Sequence, residues 1–554
     1  MIANINIEEK SFGNNLLYEN LSLKIQAGEK LGFIGRNGTG KTTLFHMLTG
    51  EDKDFAGDIE FQRNLIVASS RQEHHGFEDS PVLPFILEDL PQYKRLKNII
   101  DTYPEHMGSN PKKMEVFSEA LEQFSSLGYY QVEEEIRRSL QAYGLQESHI
   151  EGTIGQLSGG QKRFVELAKL QHSKADLILI DEPTNHMDYA AKELFLEWLK
   201  HEKAAVMVIT HDRDVLKAVD RIIEIRDGKS YSFRGNYDDY LRTNTSQITS
   251  EVNEYEVTQR RISNLKDEVL RFQRLKEKAR NPGTIQRFKS QEQRARKELE
   301  RLSKQAKPSF WIDKESVQGL NNKLADAYDE HKARNIRIRA RTSETKSRRL
   351  LVEAHKVVLS YGDEPLFDEV SFQLREGERL RLHGRNGAGK TTLVNAILAE
   401  NRGASTKSNV LSGYISTEKG LKIGDYKQEI DGTYLNRKLK DAVEHVLLKK
   451  NVNASDQKIR QLLSDYLFQP ESDGEMPVSR LSGGQKARFQ LMSMLADDPM
   501  VLILDEPTNH LDLPSIEELE QALKQYHGAI IYISHDSYFT QNIGGEQVNI
   551  DKIV

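Results

Sequence analysis

Four segments of this chain occur twice in the same order, and that repetition constrains the fold more than any other feature. LGFIGRNGTGKTTL at 31–44 returns as LRLHGRNGAGKTTL at 380–393, and QLSGGQKRFVELAKL at 156–170 returns as RLSGGQKARFQLMSM at 480–494. LILIDEPTNHMD at 177–188 returns as VLILDEPTNHLD at 501–512, and VITHDRDVL at 208–216 returns as YISHDSYFT at 532–540. The internal spacings agree: Ser158 to Asp181 and Ser482 to Asp505 both span 23 residues, Asp181 to His211 and Asp505 to His535 both span 30. Two homologous domains follow, over 1–241 and 349–554, with 242–348 between them. Each reads as α/β. EKLGFIG is a strand that runs into a glycine turn and a helix starting near Lys41. DLILID, MVLILD, AVMVIT and AIIYIS are continuous apolar runs of the kind buried parallel strands show.

The chemistry sits at the ends of those strands. GRNGTGKT (Gly35 to Thr42) and GRNGAGKT (Gly384 to Thr391) match the phosphate-loop pattern. Gly35, Gly38 and Gly40, and Gly384, Gly387 and Gly389, let backbone curl around phosphate oxygens, while amides and a helix N-terminus hold the negative charge. Asn37 and Thr43 belong to the first cradle, Asn386 and Thr392 to the second. Lys41 and Lys390 are expected to reach the β- and γ-phosphates, and Thr42 and Thr391 to offer a hydroxyl to Mg²⁺. Asp181 and Asp505 end apolar strands, where a carboxylate can hold Mg²⁺ directly or through water. Glu182 and Glu506 follow and can polarise an attacking water. His211 and His535 end later strands at equal spacing, which favours a γ-phosphate contact over a merely packed imidazole.

LSGGQ separates this chain from other phosphate-loop ATPases. It resembles the signature motif of the ATP-binding cassette family, in which the phosphate loop of one domain and the Ser-Gly-Gly of the other close over ATP. The resemblance implies ATP and Mg²⁺ as ligands. It assigns Ser158, Gly159, Gly160 and Gln161, and Ser482, Gly483, Gly484 and Gln485, to the opposite cassette's nucleotide. Gln72 in SSRQE and Gln428 in DYKQE look like the glutamines near Mg²⁺ and the attacking water. Phe12 in SFG and Tyr361 in SYG, each 29 residues before its lysine, look like the aromatic that stacks on adenine, though either can also be a core residue on a strand. Nothing in either set is substituted. Two hydrolysis-competent sites are expected, Lys41 with Ser482 and Lys390 with Ser158.

Composition and charge sort the members of that family. No apolar run approaches the ~20 residues that span a bilayer. No basic-then-apolar start marks a secretory signal. There is no cysteine, which excludes disulfides, thiolate zinc and iron–sulfur clusters and predicts a cytoplasmic protein. Transporters, zinc-bearing repair cassettes and the iron–sulfur recycling factor are thereby set aside. The chain is acidic, at −6, yet Arg260 to Phe310 hold 16 Lys and Arg against 6 Asp and Glu. Two apolar stripes flank the break Asn281-Pro282-Gly283: Tyr255, Ile262, Leu265, Val269 and Phe272, then Ile285, Phe288, Ala295, Leu299 and Leu302. A helical hairpin is predicted, with Arg274, Lys276, Lys278, Arg280, Arg287, Lys289, Arg294 and Arg296 around it. A surface built only for stability mixes signs, while a polyanion binder concentrates positive charge.

These features resemble the ABC-F family: tandem cassettes on one chain, DEPTNHMD and DEPTNHLD, and FRGNYDDYL at 233–241 leading into a charged linker. The resemblance implies that the linker hairpin enters the ribosomal E site and that its tip meets ribosomal RNA and the P-site tRNA. Lys278, Arg280, Arg287, Lys289 and Arg294 are the expected RNA contacts. It further implies a monomer whose cassettes pair within the chain, serving either as a housekeeping translation factor or in antibiotic protection of the ribosome. A non-ribosomal ATPase acting on branched DNA is the alternative. Two features stay open. The segment 307–335, with Phe310 and Trp311, is either an extra helix at the hairpin base or the true tip. An insertion at about 90–130 is either an arm toward the ribosomal L1 stalk or a plain helical addition.

Overall fold

The computed structural model describes residues 1–12, 15–70, 76–106, 110–185, 187–226, 228–303, 336, 338, 349–361, 364–403, 409–427 and 430–550. Two compact units divide the chain: Met1–Tyr237 with Ile336–Val554, and Asp238–Asn335.

The first unit holds both repeats. In each, a parallel sheet carries the motif strands side by side. The first cassette orders them Val67–Ser69, Leu177–Asp181, Ala205–Ile209, Lys30–Gly35, Arg221–Arg226, and an antiparallel Lys229–Arg234 closes the edge. The second orders Ile423–Tyr426, Val501–Asp505, Ala529–Ile533, Arg379–His383 and Glu546–Asn549, all parallel. A smaller antiparallel sheet accompanies each, built on Ala3–Phe12 in the first and Leu350–Tyr361 in the second.

The apolar runs follow from their two covered faces. Ile178, Ile180, Val206 and Val208 pack into a helical core, while Leu177, Leu179, Met207 and Ile209 pack against the antiparallel sheet. The second cassette repeats the split, with Leu502, Leu504 and Ile530 on one face and Val501, Ile503 and Ile531 on the other. Alternating side chains thus serve two cores, so no position is free to be polar until the strand ends. Each such side chain contributes about 1.5–3 kcal/mol of burial. The sheet in turn fixes Asp181 and Asp505 at its carboxyl edge.

The insertion in the first cassette is a pair of helices, Tyr93–His106 and Pro111–Ser126, between Val82–Glu88 and Val132–Ala142. The second cassette runs from Leu439–Lys449 to Asp456–Asp465 without them. Asn110 caps the second inserted helix, accepting from the Lys112 and Lys113 amides at 3.1 and 3.4 Å, and Pro111 opens it. Phe124 and Tyr129 meet edge-on, centroids 5.4 Å apart, and tie the pair to the helical core. Ile336 already packs into the core of the second cassette, so the chain re-enters that domain before the boundary expected at 349.

Among its described residues the second unit contains two helices. Tyr237–Lys278 enters it, and Pro282–Ser303 folds back after the Asn281-Pro282-Gly283 break, where Asn281 Oδ1 accepts the Gly283 amide at 2.9 Å. Leu265, Val269 and Ala295 form the seam, flanked by Leu299 and Leu302. Arg261 clasps Glu298 through two bonds of 3.0 and 3.2 Å. Lys276 donates to Glu292 at 2.6 Å, and Arg296 to the same carboxylate at 3.0 Å. The alternative tip around Phe310 and Trp311 lies outside the described residues. Among the described residues no helix is long and apolar enough to cross a membrane.

Candidate functional site

Each phosphate loop is a strand end turned by glycine into a helix N-terminus. Gly40 has φ +91°, and a Cβ there would meet Tyr18 Oη at 2.9 Å. Gly389 has φ +99° and would meet Phe367 at 2.9 Å. Conformation and space both demand glycine at the residue before each lysine. Lys41 Nζ donates to the carbonyls of Gly35 and Arg36 at 2.6 and 3.0 Å. Lys390 does the same with Gly384 and Arg385 at 2.7 and 2.9 Å. Thr42 Oγ1 donates to Asp181 Oδ2 at 2.8 Å, and Thr391 Oγ1 to Asp505 Oδ2 at 2.8 Å. Burial holds the Lys41 ammonium below its ordinary pKa and Asp505 above its own.

Glu182 and Glu506 adopt left-handed backbone, φ +47° and +49°, which is uncommon for a side-chain-bearing residue and concentrates at working sites. Their amides are tied to the neighbouring strand, Glu182 N to Ile209 O at 2.8 Å and Glu506 N to Ile533 O at 3.0 Å. Burial, then the adjacent aspartate, pushes both carboxyls up to about 8. His211 Nε2 lies 3.4 Å from Glu182 Oε1, and His535 Nε2 lies 3.4 Å from Glu506 Oε1. Burial holds both imidazoles neutral, with pKa values brought down to about 3. Nδ1 of each histidine, and Glu506 Oε1, are buried without a hydrogen-bond partner among the described residues.

The opposite cassette contacts each loop. Ser482 caps the helix Gly483–Met494 and Ser158 caps Gly159–His172, each accepting the amide of the Gln three residues on at 3.3 Å. Gly484 approaches Asn37 so closely that a Cβ would fall 2.1 Å from its Nδ2. Asn37 Nδ2 donates to His510 O at 2.9 Å, and its amide to Asp512 Oδ2 at 3.1 Å. In mirror image, the Asn386 amide donates to Asp188 Oδ2 at 3.1 Å. Arg36, Asn37 and Gly38 face Gly484 and Arg488 across a cleft of about 360 Å³.

The structure thus brings together, around each loop, the lysine, threonine, aspartate, glutamate and histidine expected from the sequence. Phe12 stands at a strand end, 56 % exposed, with Lys10 Nζ 4.8 Å from its ring centre. Tyr361 ends the strand Leu350–Tyr361. Gln72 and Gln428 lie outside the described residues. Sequence reasoning passed over Asp188 and Asp512, although both close the repeated DEPTNH motif. It also passed over Arg163, whose guanidinium donates to Asp181 O at 3.0 Å. The residues fit a magnesium nucleotide. Two loops of glycine backbone beside a buried lysine suit a polyphosphate, a Thr–Asp pair suits an oxygen-seeking cation, and buried histidine nitrogens retain unused capacity.

Twin phosphate loops, each bonded through a backbone amide to an aspartate of the other domain, with Gly484 of the second signature helix against the first loop, define a head-to-tail arrangement of the two domains. The ABC transporter family model matches residues 18–185 and 367–509, and a second model of that description matches 223–318. YdiF of Bacillus subtilis is 30% identical, over 98% of this chain and 79% of its own length. YheS of Escherichia coli is 28% identical over 96% of this chain and 76% of its own. The ribosome protection protein VmlR of Bacillus subtilis is 26% identical over 98% of this chain and 84% of its own. The archaeal ribosome recycling factor aABCE1, solved with the stalk protein aP1, shares the fold with a TM-score of 0.53 at 17% identity, covering 99% of this chain and 89% of that one. The chain belongs to the ATP-binding cassette ATPases of the ABC-F type.

Proposed function

We propose that this ABC-F ATPase hydrolyses ATP at two composite sites, Lys41 with Ser482 and Lys390 with Ser158, and acts on the ribosome through its basic hairpin. The observation that carries the reading is the Asn37–Gly484 approach, with Asp512 and Asp188 receiving the opposing loop amides at 3.1 Å. In this reading the glycine-loop amides and Lys41 or Lys390 hold the phosphates. Thr42 and Asp181, or Thr391 and Asp505, would hold Mg²⁺, which would neutralise charge on the phosphates, with Gln72 and Gln428 as the expected further ligands. Glu182 and Glu506 orient and polarise water, and His211 and His535 hold the γ-phosphate end through Nε2. Phe12 and Tyr361 are the aromatics proposed to stack on adenine. The left-handed backbone at both glutamates supports a carboxylate held at a fixed angle.

The partner reading rests on the hairpin. Lys278, Arg280, Arg287, Lys289 and Arg294 are exposed and make no ion pair among the described residues, whereas Arg261, Lys276 and Arg296 are engaged within the hairpin. Exposed cations of one sign suit phosphate, and a relative that matches 98% of this chain, VmlR, is a ribosome protection protein. Modulation of translation or protection of the ribosome from an antibiotic both fit. The test is sedimentation with ribosomes over a salt series. Replacing Lys278, Arg280, Arg287 and Lys289 with Ala should lower the log affinity versus log salt slope by roughly 0.7–0.9 per lost contact while basal ATPase persists. An unchanged slope and affinity would remove the hairpin from the interface.

A further inference from the structure

The repeat breaks at one buried contact between the cassettes. Arg213, two residues after His211, is 3 % exposed. Its Nη1 donates to Glu520 Oε1 at 3.1 Å, and its Nη2 lies 3.6 Å from Glu517 Oε1. Both glutamates belong to the helix Leu513–Lys524 of the other cassette and are buried. Asn542 holds the far oxygen of Glu520 at 2.8 Å. That helix is capped by Asp512, which accepts the Asn37 amide. The pair therefore has both ends rooted in one site: His211 on one side, the Asp512 cap on the other.

The mirrored site lacks it. At the motif spacing, Arg213 corresponds to Ser537, Glu520 to Leu196 and Glu517 to Glu193. Ser537 Oγ reaches Asp214 at 2.7 and 2.9 Å, a hydroxyl contact in place of a guanidinium between two carboxylates. Glu193 is exposed and Leu196 half-buried. The helix Leu513–Lys524 buries nine of its 12 residues, but Tyr189–His201 buries only four of 13, so the clamp falls on one side. A buried charge pair joining two bodies slows their separation, because parting strands each charge before water reaches it.

We infer that Arg213 is a one-sided latch: a positioning residue that keeps the Lys41–Ser482 site closed, so that this site releases nucleotide more slowly than the Lys390–Ser158 site. The inference rests on nucleotide occupying both composite sites. The test measures release of N-methylanthraniloyl-ATP with Mg²⁺ from hydrolysis-blocked protein (Glu182→Gln with Glu506→Gln). Lys390→Ala leaves the first site alone, and Lys41→Ala leaves the second. Arg213→Ser should speed release from the first site by about tenfold or more and change the second by less than about twofold. Arg213→Lys, which keeps the charge, should restore part of the difference. Ser537→Arg with Leu196→Glu builds the pair at the mirrored position beside Glu193, and should slow release from the second site without depending on how Arg213→Ser folds. Equal acceleration at both sites, or no change from either the loss or the transplant, would overturn the latch. If the analogue binds no form, native protein included, the nucleotide reading falls and the latch with it.

Discussion

The two cassettes agree closely where chemistry is concerned and diverge where they touch their surroundings. Threonine to aspartate is 2.8 Å in both, histidine to glutamate 3.4 Å in both, and loop amide to opposing aspartate 3.1 Å in both. Yet among the described residues only the first carries an inserted helix pair, and only the first sends a buried arginine into its partner. Bond geometry at a transferring phosphate tolerates little variation, so both copies hold it. The contacts that set how tightly each site shuts are under no such demand, and there the copies are free to differ.

The largest expected effect tests the agreement. Glu182→Gln with Glu506→Gln keeps side-chain volume and removes the carboxylate proposed to polarise water. Phosphate release should fall on the order of 100-fold or more, the range for loss of a general base. Each single substitution should retain part of the turnover, because the other site is intact. A double variant that keeps native turnover would break the assignment of both carboxylates.

A smaller effect sharpens the difference within the signature motif. An alanine Cβ at Gly484, the second glycine of its motif, collides with Asn37, whereas one at Gly159, the first glycine of the other copy, meets nothing within 4 Å among the described residues. Overpacking of this kind costs about 1–3 kcal/mol. Gly484→Ala should weaken nucleotide binding at the Lys41–Ser482 site about tenfold, and Gly159→Ala should leave affinity near native. Equal losses, measured by equilibrium binding, would mean that membership of the motif matters more than the space around each glycine.

That contrast also marks how far the sequence could be read. The strands and the clustering of Lys, Thr, Asp, Glu and His at each loop were legible because a residue needed twice at the same spacing stands out from a chain that drifts elsewhere. Apolar runs such as LILID betrayed burial on two faces. The hairpin was legible from its stripes and its Asn-Pro-Gly break. Asp188 and Asp512 were visible in the repeat, but their role was not, because each serves the loop of the other cassette and no local period encodes that distance. Arg213, Glu517 and Glu520 were invisible for the opposite reason: they lie where the copies differ, and comparing copies discards such positions. The early return of the chain at Ile336 had no turn or cap to announce it.

The smallest effect separates the hairpin from the cassettes. The Lys276 ammonium holds the Glu292 carboxyl below its ordinary range, and Arg261 does so for Glu298. A carboxyl depressed in the fold adds stability above its unfolded pKa of about 4.5, and that stability is lost as pH falls through the depressed value. Hydrogen exchange in the hairpin, corrected for intrinsic rate, should therefore loosen below about pH 4.5. Glu292→Gln with Glu298→Gln should show weaker protection at neutral pH and little acid response. An acid response unchanged by that pair of substitutions would place the loosening elsewhere.

The central claim, that each site is shared between cassettes, has a direct test in the stoichiometry of trapped ATP. In the Glu182→Gln, Glu506→Gln background, Lys41→Ala with Ser482→Ala damages one composite site twice, and Lys41→Ala with Ser158→Ala damages two sites once each. The account predicts about one retained ATP per chain for the first combination and almost none for the second, because Ser482 closes over the Lys41 loop and Ser158 over the Lys390 loop. The reverse result, one ATP with Lys41→Ala and Ser158→Ala and none with Lys41→Ala and Ser482→Ala, would show that each cassette works alone and would contradict it.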